Sequence, residues 1–269
     1  MVKRHSKFRK ILLCVLALAL LAAAGYQLYP IVKGCYRELT FYSEDRSDAE
    51  LAVMAYAQTQ GYHYRDYPES LVDLLERNPE TEDFVLSYPA EHDQEHTVDL
   101  SEYDPSEGVP LFFQWDKRWG YLQYGSDVAG LTACGPVCLS MAAYYLTEDP
   151  AMSPDNLIRF AIRRGYCTWS HGTSWTLISE GAVELGFDVT ELPLDENRIM
   201  ANLEAGVPII CVMGPGDFTT TGHYIVLVGT ENGLLRVNDP NSRANSQKLW
   251  DYDDISGQIR NLWAIRNPV

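Results

Sequence analysis

Hydrophobic and polar positions divide this chain into three parts. The first holds an unbroken apolar run, Ile11–Gly25, which continues less purely through Val32. Fifteen apolar residues fit the core of a cleaved signal peptide, with Ala22-Ala23-Ala24 as its small-residue cleavage site. The whole stretch to Val32 is long enough to cross a bilayer as one helix, with Tyr26 and Tyr29 as interfacial aromatics. Apolar character persists past the alanines, which favours an uncleaved anchor over residues 1–32. The second part, 33–108, is more polar. Helical spacing of Leu51, Met54 and Ala55 predicts a helix over Ser47–Thr59, and Leu71, Leu74 and Leu75 predict another, ended by Asn78-Pro79. Residues 90–108 are acidic and broken by Pro105 and Gly108, so 33–108 reads as a partly helical stalk ending in a linker.

From 109 to 269 the pattern is that of a segregated α+β domain. Val137–Leu146 is apolar on nearly every side, the mark of a buried helix. Ser153-Pro154 opens a helix to about Arg164; Thr173 or Ser174 caps another, closed by Gly186; Asp195 caps a third, closed by Gly206. Strands are expected at Val207–Met213, Tyr224–Gly229, Leu234–Asn238 and Asn261–Arg266. Helices first and strands afterwards point to a largely antiparallel sheet, not a doubly wound one.

Charge sharpens this division. Lys3, Arg4, Lys7, Arg9 and Lys10 precede the apolar run with no acid among the first ten residues. Without those five, 16 basic side chains face 37 acidic ones, so the remainder carries about −21. A basic flank stays on the cytoplasmic side, which places the rest of the chain outside the membrane. So acidic a body disfavours nucleic acid, whose binding rests on neutralising phosphates.

The chemistry centres on one thiol. Gly135 and Pro136 mark the start of the apolar helix, so Cys134 sits at its N-terminal end. Backbone N–H groups and the helix dipole there favour a thiolate and can cradle an oxyanion beside the sulfur. The competing reading is a small buried thiol, the commonest fate of a free cysteine. Cys138, Cys167 and Cys211 show neither CxxC spacing nor nearby histidines, so no zinc site is expected, and a bridge among them cannot be assigned. A thiol nucleophile needs a base and an orienting group. His223 opens one strand and Asp239 closes the next. Their midpoint is 231, close to the Thr230–Gly233 turn, which makes them near neighbours across a hairpin; a strict two-residue Asn232-Gly233 turn would shift that pairing by three positions. Asp239 before Pro240 also fits an ordinary turn. His171 lies in a loop as a further candidate, whereas His63, His92 and His96 lie in the polar stalk. No Gly-x-Ser-x-Gly elbow, HExxH or phosphate loop is present.

Cys-Gly-Pro at a helix start, Gly-His opening a strand and Asn-Asp-Pro closing the next together resemble the papain-like C-39-type peptidases, which process bacteriocin leader peptides. The run Val109–Gly120 (VPLFFQWDKRWG) is similar to the opening of exported stand-alone relatives, as are Gly172–Trp175 and Glu191–Asn197. The resemblance covers about Val109–Ala264. It implies a papain-like fold, with the nucleophile-bearing helix packed on an antiparallel sheet, and a peptide or protein substrate with no cofactor or metal. It further implies Cys134 as nucleophile, His223 as base, Asp239 as its orienting group and Gln114 as the oxyanion-hole side chain. Gly135, Trp175 and Gly222 would then bind substrate. Gln114 lies twenty positions before the cysteine, further than in the leader-processing enzymes, which leaves Gln123 as the alternative. The export domains and ATPase of the transporter-fused members are absent, so leader peptides are not implied as substrate. Two rival readings share these residues: a cell-wall peptide amidase or endopeptidase, and a catalytically silent tethered binding module.

Overall fold

The computed structural model describes residues 28–29, 46–169 and 172–267. The expected anchor over 1–32 and the loop residue His171 therefore fall almost wholly outside the described residues. Among the described residues no helix is long and apolar enough to cross a membrane.

Residues 48–269 form one compact unit. Its centre is a six-stranded, fully antiparallel sheet. The strands are β1 (Asp188–Glu191), β2 (Ile209–Met213), β3 (His223–Glu231), β4 (Leu234–Asn238), β5 (Leu249–Trp250) and β6 (Ile259–Arg266), in the order β1-β6-β2-β3-β4-β5. The pleat sends Ile210, Val212, Tyr224 and Val226 to one side and Ile209, Cys211, Ile225 and Leu227 to the other. Both faces are covered. The first packs on the apolar helix α4 (Cys134–Thr147) together with α5 (Pro154–Arg163), the second on α6 (Glu196–Glu204) through Ile199 and Leu203. Two covered faces explain why β2 is buried at every position and reads as a continuous apolar run. The four expected strands all form; β1 and β5 carry too little apolar patterning to stand out, Asp188–Glu191 being mostly exposed.

Residues 48–108 depart from the expected stalk. Three helices, α1 (Asp48–Gln60), α2 (Glu69–Arg77) and α3 (Glu82–Glu91), pack together and against the segment that holds Trp115, Tyr121, Val128 and Leu131. Their shared core joins Val53, Leu71, Leu75 and Phe84 to Tyr121 and Val128, so this layer belongs to the compact unit and does not merely lead to it. Phe84 stacks on Tyr121 with ring centroids 4.5 Å apart. It fits because two neighbours lack side chains: a Cβ on Gly120 would come within 2.7 Å of the Phe84 ring, and one on Gly130 within 2.5 Å. The buried face of α1 is Ala49, Val53 and Ala57, while Leu51 is half exposed. The sequence pattern had suggested Leu51, Met54 and Ala55; small residues won because this helix lies close to its neighbours. The acidic stretch 90–108 is not a free linker either. Leu100 is buried beside Tyr144, and Arg118 donates to the Asp99 carbonyl and to Glu102.

Candidate active site

Cys134 is the first residue of α4, with Ala133 as the N-cap. The expected entry point is therefore correct. Four N-terminal N–H positions of a helix lack intrahelical partners, and here one of them is Pro136, which has no N–H to satisfy. The sulfur is partly exposed, whereas Cys138, one turn on, is fully buried.

His223 is the first residue of β3 and pairs with Met213 of β2, which fixes its backbone in the sheet. The hairpin that follows uses the two-residue Asn232-Gly233 turn, both residues having positive φ (53° and 82°), as the tightest hairpins require. Glu231 then faces Leu234 and Gly229 faces Arg236, but a bulge at Val228 shifts the ladder so that Val226 faces Asn238. Continuing this register puts His223 opposite Asn241, two residues beyond Asp239. The two side chains thus meet along the diagonal of the ladder and not as the directly opposed pair expected from the midpoint. The strict turn moved the pairing away, and the bulge moved it part of the way back.

The contact itself is short. His223 Nε2 and Asp239 Oδ1 lie 2.7 Å apart, both residues buried. Asp239 is held in turn by its own neighbours. The Asn241 backbone N–H donates to Oδ1 (2.8 Å), and Asn245 Nδ2 donates to Oδ2 (2.8 Å). Asn245 lies on the short helix α7 (Arg243–Gln247), N-capped by Ser242. With Nε2 engaged by the carboxylate, Nδ1 is the ring nitrogen left for Cys134, which lines the same cleft and is close enough to raise the His223 pKa. Burial by itself disfavours the imidazolium, but the Asp239 charge and hydrogen bond, with Cys134 beside it, push the His223 pKa well above its ordinary 6.5. A thiol, an imidazole and a carboxylate are therefore in series, the arrangement needed to take a proton from sulfur and return it to a leaving group.

Cys134 and His223 open onto a cleft of about 670 Å³, with Asp239 buried behind the imidazole. Gln114 lines it as well. It is buried, its backbone N–H donates to the Pro240 carbonyl (2.8 Å), and its Nε2 donates to the Gly130 carbonyl (2.8 Å). Its Oε1 is buried without a hydrogen-bond partner among the described residues. Gln123, the alternative, is exposed and spends its amide on Gly125 and Asp127 within its own hairpin, away from the cleft lining. Trp175 and Gly222 line the cleft. Gly135 does not: it is buried, and a Cβ there would meet the Thr173 side chain at 2.7–2.9 Å, so its small size serves packing. His92 stacks on Tyr88, and neither it nor His63 or His96 borders the cleft.

The lining residues that went unforeseen include Leu74, Arg77 and Asn78, from the end of α2. Asn78 Nδ2 donates to the Asn241 carbonyl (2.6 Å), which Trp115 Nε1 also reaches (3.2 Å). Glu80 accepts from the first two backbone N–H groups of α7, at Arg243 (2.8 Å) and Ala244 (3.2 Å). Acidic side chains are favoured at such a helix start. No spacing rule links residues more than 160 positions apart, so only an observed contact could have found this wall.

The peptidase domain of Streptococcus ComA, a bi-functional ABC transporter involved in quorum sensing, is similar over 60% of this chain and 99% of its own, at 21% identity and a TM-score of 0.41. A protein described as a C39-like peptidase from Bacillus anthracis is similar over 60% of this chain and 95% of its own, at 13% identity and a TM-score of 0.38. No curated protein matches. The model of the Peptidase_C39 like family matches residues 106–268, well over half of the chain, and the chain belongs to that family.

Proposed function

We propose that the protein is a cysteine peptidase that hydrolyses peptide bonds through Cys134, His223 and Asp239. The observation that carries the reading is the His223 ring held by Asp239 at 2.7 Å, with Cys134 at a helix start lining the same cleft as the imidazole. In the proposed cycle the Cys134 thiolate attacks the scissile carbonyl carbon while His223 carries the proton at Nδ1. The carbonyl oxygen becomes an oxyanion, held by the Cys134 backbone N–H and a Gln114 amide hydrogen. One hydrogen of Gln114 Nε2 is taken by Gly130, which leaves the second for this purpose. Collapse breaks the C–N bond, and His223 gives its proton to the leaving amine. Water, deprotonated by His223, then cleaves the thioester and restores the thiol.

The basic N-terminus and the apolar run from Ile11 support a membrane-anchored or exported protein acting outside the membrane, with the N-terminus cytoplasmic. A cell-wall endopeptidase would use the same thiol chemistry. Incubating the protein with purified cell wall and, separately, with an unfolded protein substrate distinguishes the two: release of wall peptides alone would transfer the assignment to the wall enzyme.

Asp239→Asn tests the series of groups directly. Without the carboxylate charge, burial dominates and the imidazolium is lost at lower pH. The alkaline limb of kcat/KM should move down, with a loss of rate of about 100-fold. An unmoved limb would show that Asp239 does not act through His223. The same coupling sets a stability trend. A folded-state pKa raised above 6.5 makes the pair's contribution complete below about pH 6.5 and lost as pH rises toward about 10. Urea midpoints of the wild type should therefore fall across that window, and those of His223→Ala should fall less.

Gln114→Ala should lower kcat by about 100-fold while KM changes little, because the amide meets the oxygen only once it carries charge. Equal losses in kcat and in thermal stability across a Gln114 series would assign it to packing instead.

A further inference from the structure

The cleft is chemically unlike the rest of the molecule. The chain has 37 Asp and Glu residues among 269 and a net charge of −16, yet none of the nineteen described residues lining the cleft is acidic. Among the described lining residues, the two that can be positive are His223, whose pKa Asp239 raises, and Arg77 at the end of α2. Arg77 is exposed and has no ion-pair partner among the described residues. Its backbone is held beside the site. Asn78, its neighbour, is tied to the Asn241 carbonyl, and Glu80 is tied to the start of α7, which supplies Asn245 to Asp239. Leu74, one turn back on the same helix, anchors the segment in the layer's apolar core and borders the cleft too. A free guanidinium on a braced wall, in a cleft without acids and inside an acidic body, is a site for an anion. Its planar fork matches a carboxylate with two parallel hydrogen bonds, and the surrounding negative charge leaves the cleft as the place where an anionic ligand gathers.

We propose that Arg77 is a specificity-determining residue that selects peptides presenting a carboxylate near the scissile bond. This rests on the peptidase reading above and names its substrate class. The carboxylate could come from an Asp or Glu side chain or from the peptide's own C-terminus.

The test uses matched peptides: one with an internal Glu and an amidated C-terminus, its Ala and Lys counterparts, and a neutral peptide with a free C-terminus. The wild type should favour the Glu peptide over the Lys peptide by about 10-fold in kcat/KM, the size expected of a charge-assisted pair. Arg77→Glu should reverse that order. Arg159→Glu, an equal charge change at an exposed arginine off the cleft, should leave the order intact. Preference for the neutral free-acid peptide, lost in Arg77→Glu, assigns the site to the C-terminal carboxylate and still supports the role of Arg77. Unchanged selectivity in Arg77→Glu, or a wild-type preference for the Lys peptide, overturns it. A binding arm separates this from a failure of the hydrolase reading. Fluorescence polarisation of the same peptides on Cys134→Ala should give the same order, and equal binding of Glu and Lys peptides there would reject the inference even if no peptide is cleaved.

Discussion

Replacing Cys134 with alanine should remove peptide hydrolysis almost completely, by about 10⁴-fold or more in kcat. Where the nucleophile acts as one unit with its base, losing it costs nearly everything that the unit contributes. The fold should be unaffected, because Cys134 is only partly buried and alanine is a good helix former at the start of α4. The complementary measurement is alkylation. Iodoacetamide attacks thiolates that it can reach. Cys138 and Cys211 are fully buried, and burial raises both of their pKa values. Cys167 is partly exposed, but burial raises its pKa as well. Cys134 alone among these four has an imidazolium beside it. Peptide mapping after a short exposure should find the label on Cys134 first, and a His223→Ala variant should slow it. Labelling that begins at Cys138 or Cys167, or a Cys134→Ala protein that cleaves as fast as the wild type, would end the hydrolase proposal.

A chain that starts at residue 106, where the family match begins, should be much less stable than one that starts at 48, and prone to aggregate. Such a truncation uncovers Tyr121 and Val128, both buried under the N-terminal helices, and empties the slot that Gly120 and Gly130 keep open for Phe84. It also strips Asn241 and the start of α7 of the partners supplied by Asn78 and Glu80. Apolar surface returned to water costs about 25 cal/mol per Å², on a domain whose whole stability is expected to be only about 5–15 kcal/mol. The point variant Phe84→Ala isolates the largest single contact and should cost about 3–5 kcal/mol, the usual penalty for removing a buried phenyl ring. Urea unfolding of the three proteins checks this. Equal midpoints would mean that the helical layer is an attachment and not part of the domain, and would also undercut the placement of Arg77 beside the cleft.

The departures from sequence-based expectation share one physical character. A helix start such as Cys-Gly-Pro before ten apolar residues is local information, and so are the Asn-Gly turn and the caps at Ser153 and Asp195. Those elements appeared where the chain indicated. The hairpin register did not follow, because one bulged residue at Val228 decides which side chains face each other, and a bulge leaves almost no trace in composition. The helices of 48–91 were visible as helices. Their role was not, because α1 buries alanines and a valine instead of its leucine, so its apolar stripe looks too weak to be the face of a layer. Distance along the chain told against Gln114, and only the placement of each side chain put Gln114 and not Gln123 at the cleft.

By itself the sequence determined the α+β class, the strand-rich second half, the helix that presents Cys134 and the candidate residues His223 and Asp239, since each depends on neighbours within a few positions. Only the tertiary structure decided that the imidazole and carboxylate meet, that Cys134 and Gln114 but not Gln123 border the same cleft, and that Leu74, Arg77 and Asn78 line it. Those are contacts between segments up to about 160 residues apart, and their formation depends on the summed burial of three cores rather than on any local preference.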